Sequence, residues 1–261
     1  MTDESELTTP PPDAESNIDP RGLEADPIYG KPLANYPSDR TRLLLISGAI
    51  YAALALVLNV AFAGVESQTA SIFVIGGMAL AALVIGWFML HLWNREVILY
   101  ERGFSYREGS RDVFFSYGDI DNIQLRAERV SYFGGLLRRT LREVRLHSIH
   151  DESMMLNSIY RRIDELMLRL ERLVTQARLP IVQAKLNSGE TIAFADGFHL
   201  SANGLHVEQD ILPWTAFSGH RVGGGQLHLL TADETVWRSL PVRHLHNAML
   251  MITLLETYRG G

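Results

Sequence analysis

The residues able to do chemistry in this 261-residue chain are scattered rather than grouped. His199, His206, His220 and His228 fall on short segments that read as strands or turns, while His244 and His246 stand two apart on a segment that reads as helix and so face different ways. A zinc-type centre needs three or four converging donors, and no carboxylate pattern accompanies these histidines, so no metal is expected. The absence of cysteine removes thiolate ligands, disulfides and cysteine nucleophiles. Lys31 and Lys185, the only lysines, lack the apolar surroundings that Schiff-base chemistry uses. There is no Gly-x-Ser-x-Gly, no phosphate-cradling loop followed by lysine and no His-Glu-x-x-His. Gly223-Gly224-Gly225 lies between two strand-like segments and reads as a hairpin tip, not as a dinucleotide loop. The expectation is a non-enzymatic protein without a cofactor.

One electrostatic feature stands out. Arg126, Arg129, Arg138, Arg139, Arg142 and Arg145 are set against only Glu128 and Glu143. Within this stretch Tyr132-Phe133 and Leu136-Leu137 flank Gly134-Gly135, so large apolar side chains crowd a hairpin tip just before the arginines. An apolar patch at a tip calls for a cover. Two readings stand: the tip folds onto the rest of the chain over an ordinary solvated strand face, or it meets a bilayer. On the second reading Phe133, Leu136 and Leu137 enter the headgroup boundary while Arg138, Arg139, Arg142 and Arg145 meet anionic lipid.

The element that would hold such a tip near a membrane is plain. Leu43 to Val65 and Ser67 to Asn94 carry no charged residue, and only Glu66 separates them. About twenty apolar residues cross a bilayer core as a helix, and two such runs with a short link make a transmembrane hairpin over residues 41–94. Arg40 and Arg42 precede it, Arg95, Arg102 and Arg107 follow it, and the link has no base, so both termini are expected in the cytoplasm. Residues 1–40 contain no apolar core with a small-residue cleavage site, so the first span is expected to direct insertion itself. Those forty residues, acidic and rich in proline, read as a disordered tail. Gly48-xxx-Ala52 and Ala82-xxx-Gly86 offer small faces that pack the spans on each other, with homo-oligomerisation through a second face as the alternative. Asn59 is expected to hydrogen-bond across the hairpin. A net charge of −6, without a strong basic excess in the folded part, argues against a nucleic-acid partner.

After Asn94 the texture becomes short alternating segments: Val97–Tyr100, Phe104–Tyr106, Val113–Phe115, Ile120–Leu125, Val144–Ile149 and Met154–Leu156 read as strands. Tyr160–Leu179 has helical spacing and reads as ending at Pro180. The order then recurs, with strands at Ile181–Leu186, Thr191–Ala195, Phe198–Leu200, Leu205–Val207, Leu212–Phe217, Leu227–Leu230 and Thr235–Leu240, and a closing helix over Val242–Tyr258. Leu99 to Phe104 aligns with Leu200 to Leu205 around Gly103 and Gly204, and Tyr117 to Ile120 aligns with Trp214 to Phe217. Two domain copies are expected, at 95–179 and 180–261.

The pattern Val97 to Phe104, then Tyr117 to Ile120, then a closing helix, resembles the bacterial pleckstrin-homology-like domains that follow membrane hairpins. The resemblance covers about 95 to 258 and implies a bent sheet or small barrel capped by a helix in each copy, with no activity attached. The resulting expectation is an integral membrane protein of α+β class, working as an adaptor or scaffold for an unknown protein partner at the cytoplasmic membrane surface. The alternative is a module reading anionic lipid headgroups through the basic first copy.

Overall fold

The computed structural model of the chain describes residues 25–62, 68–132 and 137–258. α1 (Arg40–Phe62) and α2 (Gln68–Trp93) pack as a helical hairpin. Arg40–Phe62 and Ser71–Trp93 are 23 residues each, long and apolar enough to cross a membrane, and almost none of their most apolar stretch is buried by protein. A helix of this size is about 35 Å long, a little more than the roughly 30 Å of a hydrocarbon core. The two helices meet through Leu54, Ala55 and Leu58 on α1 and Val74, Met78, Ala81 and Ile85 on α2, all partly buried. Gly48 and Ala52 are exposed instead, and a Cβ built on Gly48 or Gly86 meets nothing within 4 Å, so these two glycines are not points of close helix approach. Asn59 donates to Ala55 O of its own helix at 2.8 Å rather than across the hairpin. An isolated amide on an apolar helix satisfies itself on the nearest free carbonyl lone pair.

The largest departure from the expected layout precedes the hairpin. Pro32–Pro37, in the stretch that reads as a disordered tail, is a strand, β1, paired antiparallel with β2 (Glu96–Tyr100). Ala34 and Tyr36 alternate with more exposed neighbours and are 1% and 0% exposed. Two inward side chains suffice for an edge strand, and such a strand tolerates proline at its ends. β2, β3 (Gly103–Glu108) and β4 (Arg111–Ser116) complete a four-stranded sheet in the order β1-β2-β3-β4. The first sheet is thus assembled from both sides of the hairpin.

A 3-10 turn at Tyr117–Asp119 leads into a three-stranded sheet of β5 (Ile120–Tyr132), β6 (Leu137–Ser148) and β7 (Ser153–Asn157), followed by α3 (Ile163–Asn187). The chain then runs through β8 (Ile192–Ala195), β9 (Phe198–Ser201), β10 (Gly204–Val207) and β11 (Asp210–Pro213) as a second four-stranded sheet. Another 3-10 turn at Trp214–Ala216 precedes β12 (Phe217–Gly223), β13 (Gln226–Thr231) and β14 (Val236–Pro241), and α4 (Ala248–Tyr258) ends the described chain. Local detail matches as well as order. Tyr117 Oη donates to Tyr100 O at 2.9 Å, and Trp214 Nε1 donates to Ser201 O at 3.1 Å, each carbonyl three residues before a glycine. A side chain on either glycine, Gly103 or Gly204, would collide with a carbonyl of the next strand, Phe115 O or Leu212 O.

Both helices differ from their expected bounds. α3 continues through Pro180 to Asn187, so Ile181–Leu186 is helix and not strand. Val182 and Leu186 are 1% and 0% exposed, four residues apart on the face that already buries Leu170, Val174 and Arg178. Burying that face offsets the backbone hydrogen bond that proline removes. α3 consequently serves two cores: Ile163, Leu166, Met167, Leu170 and Val174 pack in the first, Val182 and Leu186 in the second. α4 is shorter than expected because Val242–His244 is a 3-10 turn and Asn247, at φ 51°, is left-handed.

Candidate functional site at the base of the hairpin

The hairpin is fastened to the first sheet pair by backbone and side-chain bonds around its base. Asp39 Oδ1 accepts from the backbone N–H of Arg42 at 3.1 Å and caps α1. Its own backbone N–H donates to Ile159 O at 2.8 Å. Ser38 Oγ donates to Trp93 O at 2.9 Å, which ties the start of α1 to the end of α2. Arg42 Nη1 donates to Ser158 O at 2.8 Å, and the backbone N–H of Arg161 donates to Pro37 O at 3.0 Å. The Arg40 guanidinium lies over the Trp93 ring, 5.2 Å from its centroid. Arg95 pairs with Glu108, and Arg107 bridges Asp112 at 2.7 Å and Glu96 at 3.3 Å. Five arginines therefore ring the base: Arg40, Arg42, Arg95, Arg107 and Arg161.

Three clefts open around this ring, the smallest, about 340 Å³, between Arg40, Arg95 and Arg107. One of about 870 Å³ is lined by Asn35, Arg40, Arg42, Leu45, Glu96 and Arg161 among others. Another, about 430 Å³, separates Arg42, Leu43, Ile46 and Leu92 from Arg142 and Glu143 of β6. β7 stops pairing with β6 at Glu143↔Asn157, at this level of the molecule. The β5–β6 ladder continues for six more pairs beyond this cleft, Ala127↔Arg142 to Tyr132↔Leu137, adding about 20 Å.

Of the tip residues singled out in the sequence, Phe133 and Leu136 lie outside the described residues. Leu137, Arg138 and Arg139 stand on β6 opposite Tyr132, Ser131 and Val130. Arg142 pairs with Asp164 at 2.5 Å and Arg145 pairs with Glu143. Being three apart on a strand, Arg142 and Arg145 fall on opposite faces, so these two do not form one patch.

A second polar constellation, not legible in the sequence, clasps the two sheet-and-helix halves. Asn247 is 7% exposed; its Oδ1 accepts from Ile123 N–H at 3.0 Å and its Nδ2 donates to Asp121 O at 2.8 Å. Its backbone N–H also donates to Ile123 O at 2.8 Å. Glu171 Oε1 accepts from Met249 N–H at 3.1 Å, and Arg178 Nη2 donates to Asp121 Oδ1 at 2.9 Å. Burial pushes the Glu171 carboxyl above its usual range, against the opposing pull of the Met249 N–H. The left-handed Asn247 is the one signal the sequence held, since asparagine tolerates that conformation.

Of the histidines singled out in the sequence, His199 and His206 stand opposite each other on β9 and β10. His206 contacts Ser201 Oγ through Nε2 at 2.8 Å and His228 contacts Ser239 Oγ through Nδ1 at 2.7 Å. No group of three or more histidine, aspartate or glutamate side chains suited to a metal occurs among the described residues. Gly224 and Gly225, both at positive φ, form the turn between β12 and β13, as a hairpin tip requires. Burial raises the phenols of Tyr36, Tyr117 and Tyr160 well above their usual value, which keeps them protonated.

Residues 23–260 match a family of unknown function, DUF6585. The chain belongs to that family. The match takes in β1, the hairpin and both halves, so the strand ahead of the hairpin belongs to the family's unit as much as the sheets behind it. Among curated proteins, no match is found.

Proposed function

We propose that this member of the family is an integral membrane protein whose hairpin spans the bilayer and whose two halves are cytoplasmic, pleckstrin-homology-like domains in tandem, acting without catalysis as an adaptor for a protein partner. The observation that carries the anchor is the bare apolar hairpin: two 23-residue helices with almost no protein cover. Left in water, so much apolar area would cost far more than a domain's net stability. The arginines at its base favour the cytoplasmic side. Support for the tandem reading comes from the repeated order of four strands, a 3-10 turn, three strands and a helix, with the matched Tyr117 and Trp214 bonds. The adaptor reading rests on rigidity and an open edge. The clasp at Asn247 and the bonds at Ser38 and Arg42 hold both halves at a set height over the hairpin, and β4 ends its sheet without a further strand among the described residues. An open edge can take a partner's strand. A photo-crosslinker at Asp112 on β4, in native membranes, is expected to capture one specific protein; a label captured only by lipid, or by nothing, contradicts the adaptor.

A second reading, lipid sensing through the basic first half, is favoured by the six-pair extension of the β5–β6 ladder, which starts at the cleft where Arg142 faces Ile46 and Leu92 of the hairpin. Isolating residues 95–261 would not test it, because that fragment lacks β1. In full-length protein a fluorophore on Ser131→Cys is expected to be quenched by brominated lipid in anionic liposomes. A probe that stays unquenched rejects the reading.

A further inference from the structure

The largest of the three clefts at the hairpin base has an imbalance of committed and uncommitted charge. Two acids line it, Asp39 and Glu96. Asp39 is occupied in capping α1 through Arg42 N–H, and Glu96 accepts from Asn35 Nδ2 at 2.6 Å and Arg107 Nη1 at 3.3 Å. Three arginines line it as well. Arg42 spends Nη1 on Ser158 O. Arg40 is steadied by the Trp93 ring, a contact that uses the face of the guanidinium and leaves its N–H groups free to donate. Arg161 is anchored by its backbone N–H, which donates to Pro37 O, and its side chain lines the cleft. The cleft thus presents donor forks that the protein's own carboxylates do not fill. Its volume of about 870 Å³ lies in the range of ligand sites. On one border stands Leu45, 70% exposed, just over one helical turn into α1 and at the start of its apolar run.

We propose that this cleft is a phosphate site for an anionic phospholipid, with the phosphate held by the N–H groups of Arg40, Arg42 and Arg161 and an acyl chain lying along Leu45 and the outer face of α1. Arginine forks match phosphate oxygens two at a time, and the position at the mouth of an apolar helix pair puts the phosphate where headgroups lie. The inference rests on the reading that the hairpin spans the bilayer. A free phosphate offers the same oxygens but has no use for Leu45, which is why the lipid is the favoured source.

The test is native mass spectrometry of the full-length protein in detergent, titrated with phosphatidylglycerol, phosphatidylcholine or inorganic phosphate. One phosphatidylglycerol is expected to remain bound in preference to phosphatidylcholine. Arg40→Gln with Arg161→Gln should weaken it roughly 30-fold, the sum of two surface-arginine contributions. Arg161→Lys alone should retain most of the binding. Equal binding of the two lipids, or unchanged affinity in the double variant, overturns the site. Binding of inorganic phosphate without lipid keeps the arginine cradle and overturns the lipid as its occupant. Carbonate extraction of membranes from the same cells separates this from the anchor: protein released into the supernatant refutes the spanning hairpin, whereas retained protein with no selective lipid refutes only the cleft.

Discussion

At the scale of single residues, the chain invests its best-satisfied polar chemistry in joining parts. Asn247 supplies both an acceptor and a donor to the backbone of β5 while adopting a left-handed conformation. Asn247→Ala should lose two buried hydrogen bonds at about 1 kcal/mol each, with a further conformational cost, and destabilise the protein by about 2–3 kcal/mol. The specific readout is hydrogen exchange at the Ile123 amide, which should lose protection. Glu171 makes a different case. Its folded pKa is raised because burial penalises the charged form, so ionisation costs more in the folded state than in the unfolded one. Stability from this group is therefore fully present at low pH and is lost as pH rises from the ordinary carboxylate range through the raised folded value. Glu171→Gln keeps the acceptor for Met249 N–H and removes the charge, so it should exceed wild type in stability at pH 8 and lose that advantage near pH 4. Thermal unfolding at the two pH values checks the sign. Among the histidines, His206 and His228 reach serine hydroxyls, His244 accepts from Arg243 Nε at 3.1 Å, and no metal-suited group of three occurs among the described residues.

Among the elements, legibility followed the length and purity of the apolar pattern. The hairpin was plain because two long uncharged runs admit one solution in hydrocarbon. Most strands of the folded part were legible from alternation and turn glycines. β1 was not, because six residues between Pro32 and Pro37 inside an acidic, proline-rich leader carry only Ala34 and Tyr36 as inward positions. The second part of α3 was masked by Pro180 and by Arg178, a charged residue on the buried stripe whose partner Asp121 is far away in sequence. The outer part of β5 and β6 was hidden by charge, since 126–129 and 138–142 lack an apolar alternation. In the sequence Arg40, Arg42, Arg95 and Arg107 carry only a topology signal, because nothing there reveals that Arg161 joins Arg40 and Arg42 around one cleft. Two substitutions test the corrected elements. Tyr36→Ala empties a fully buried aromatic site and should cost about 3–5 kcal/mol, measured by denaturant unfolding, whereas a residue in a disordered leader would cost nothing. Leu186→Ala should cost about 2–4 kcal/mol and raise hydrogen exchange in β8 to β11, the sheet whose core it joins.

For the whole molecule, one reading connects these parts: a hairpin inserted between the first and second strands of one sheet, with both halves held on the same side of a bilayer. With β1 before α1 and β2 after α2, a hairpin that spans a bilayer, as proposed, must return the chain to the side it left before the first sheet can close. On that proposal, the topology is an outcome of folding as well as of charge. The absence of native cysteine gives a clean background for single-cysteine labelling. Ser67→Cys in the link between the spans, and Ser110→Cys and Ser188→Cys in the two halves, would be exposed one at a time to a membrane-impermeant maleimide in intact cells. The account predicts that Ser67→Cys is labelled without permeabilisation, while Ser110→Cys and Ser188→Cys react only after it. Labelling of all three from the same side would contradict it.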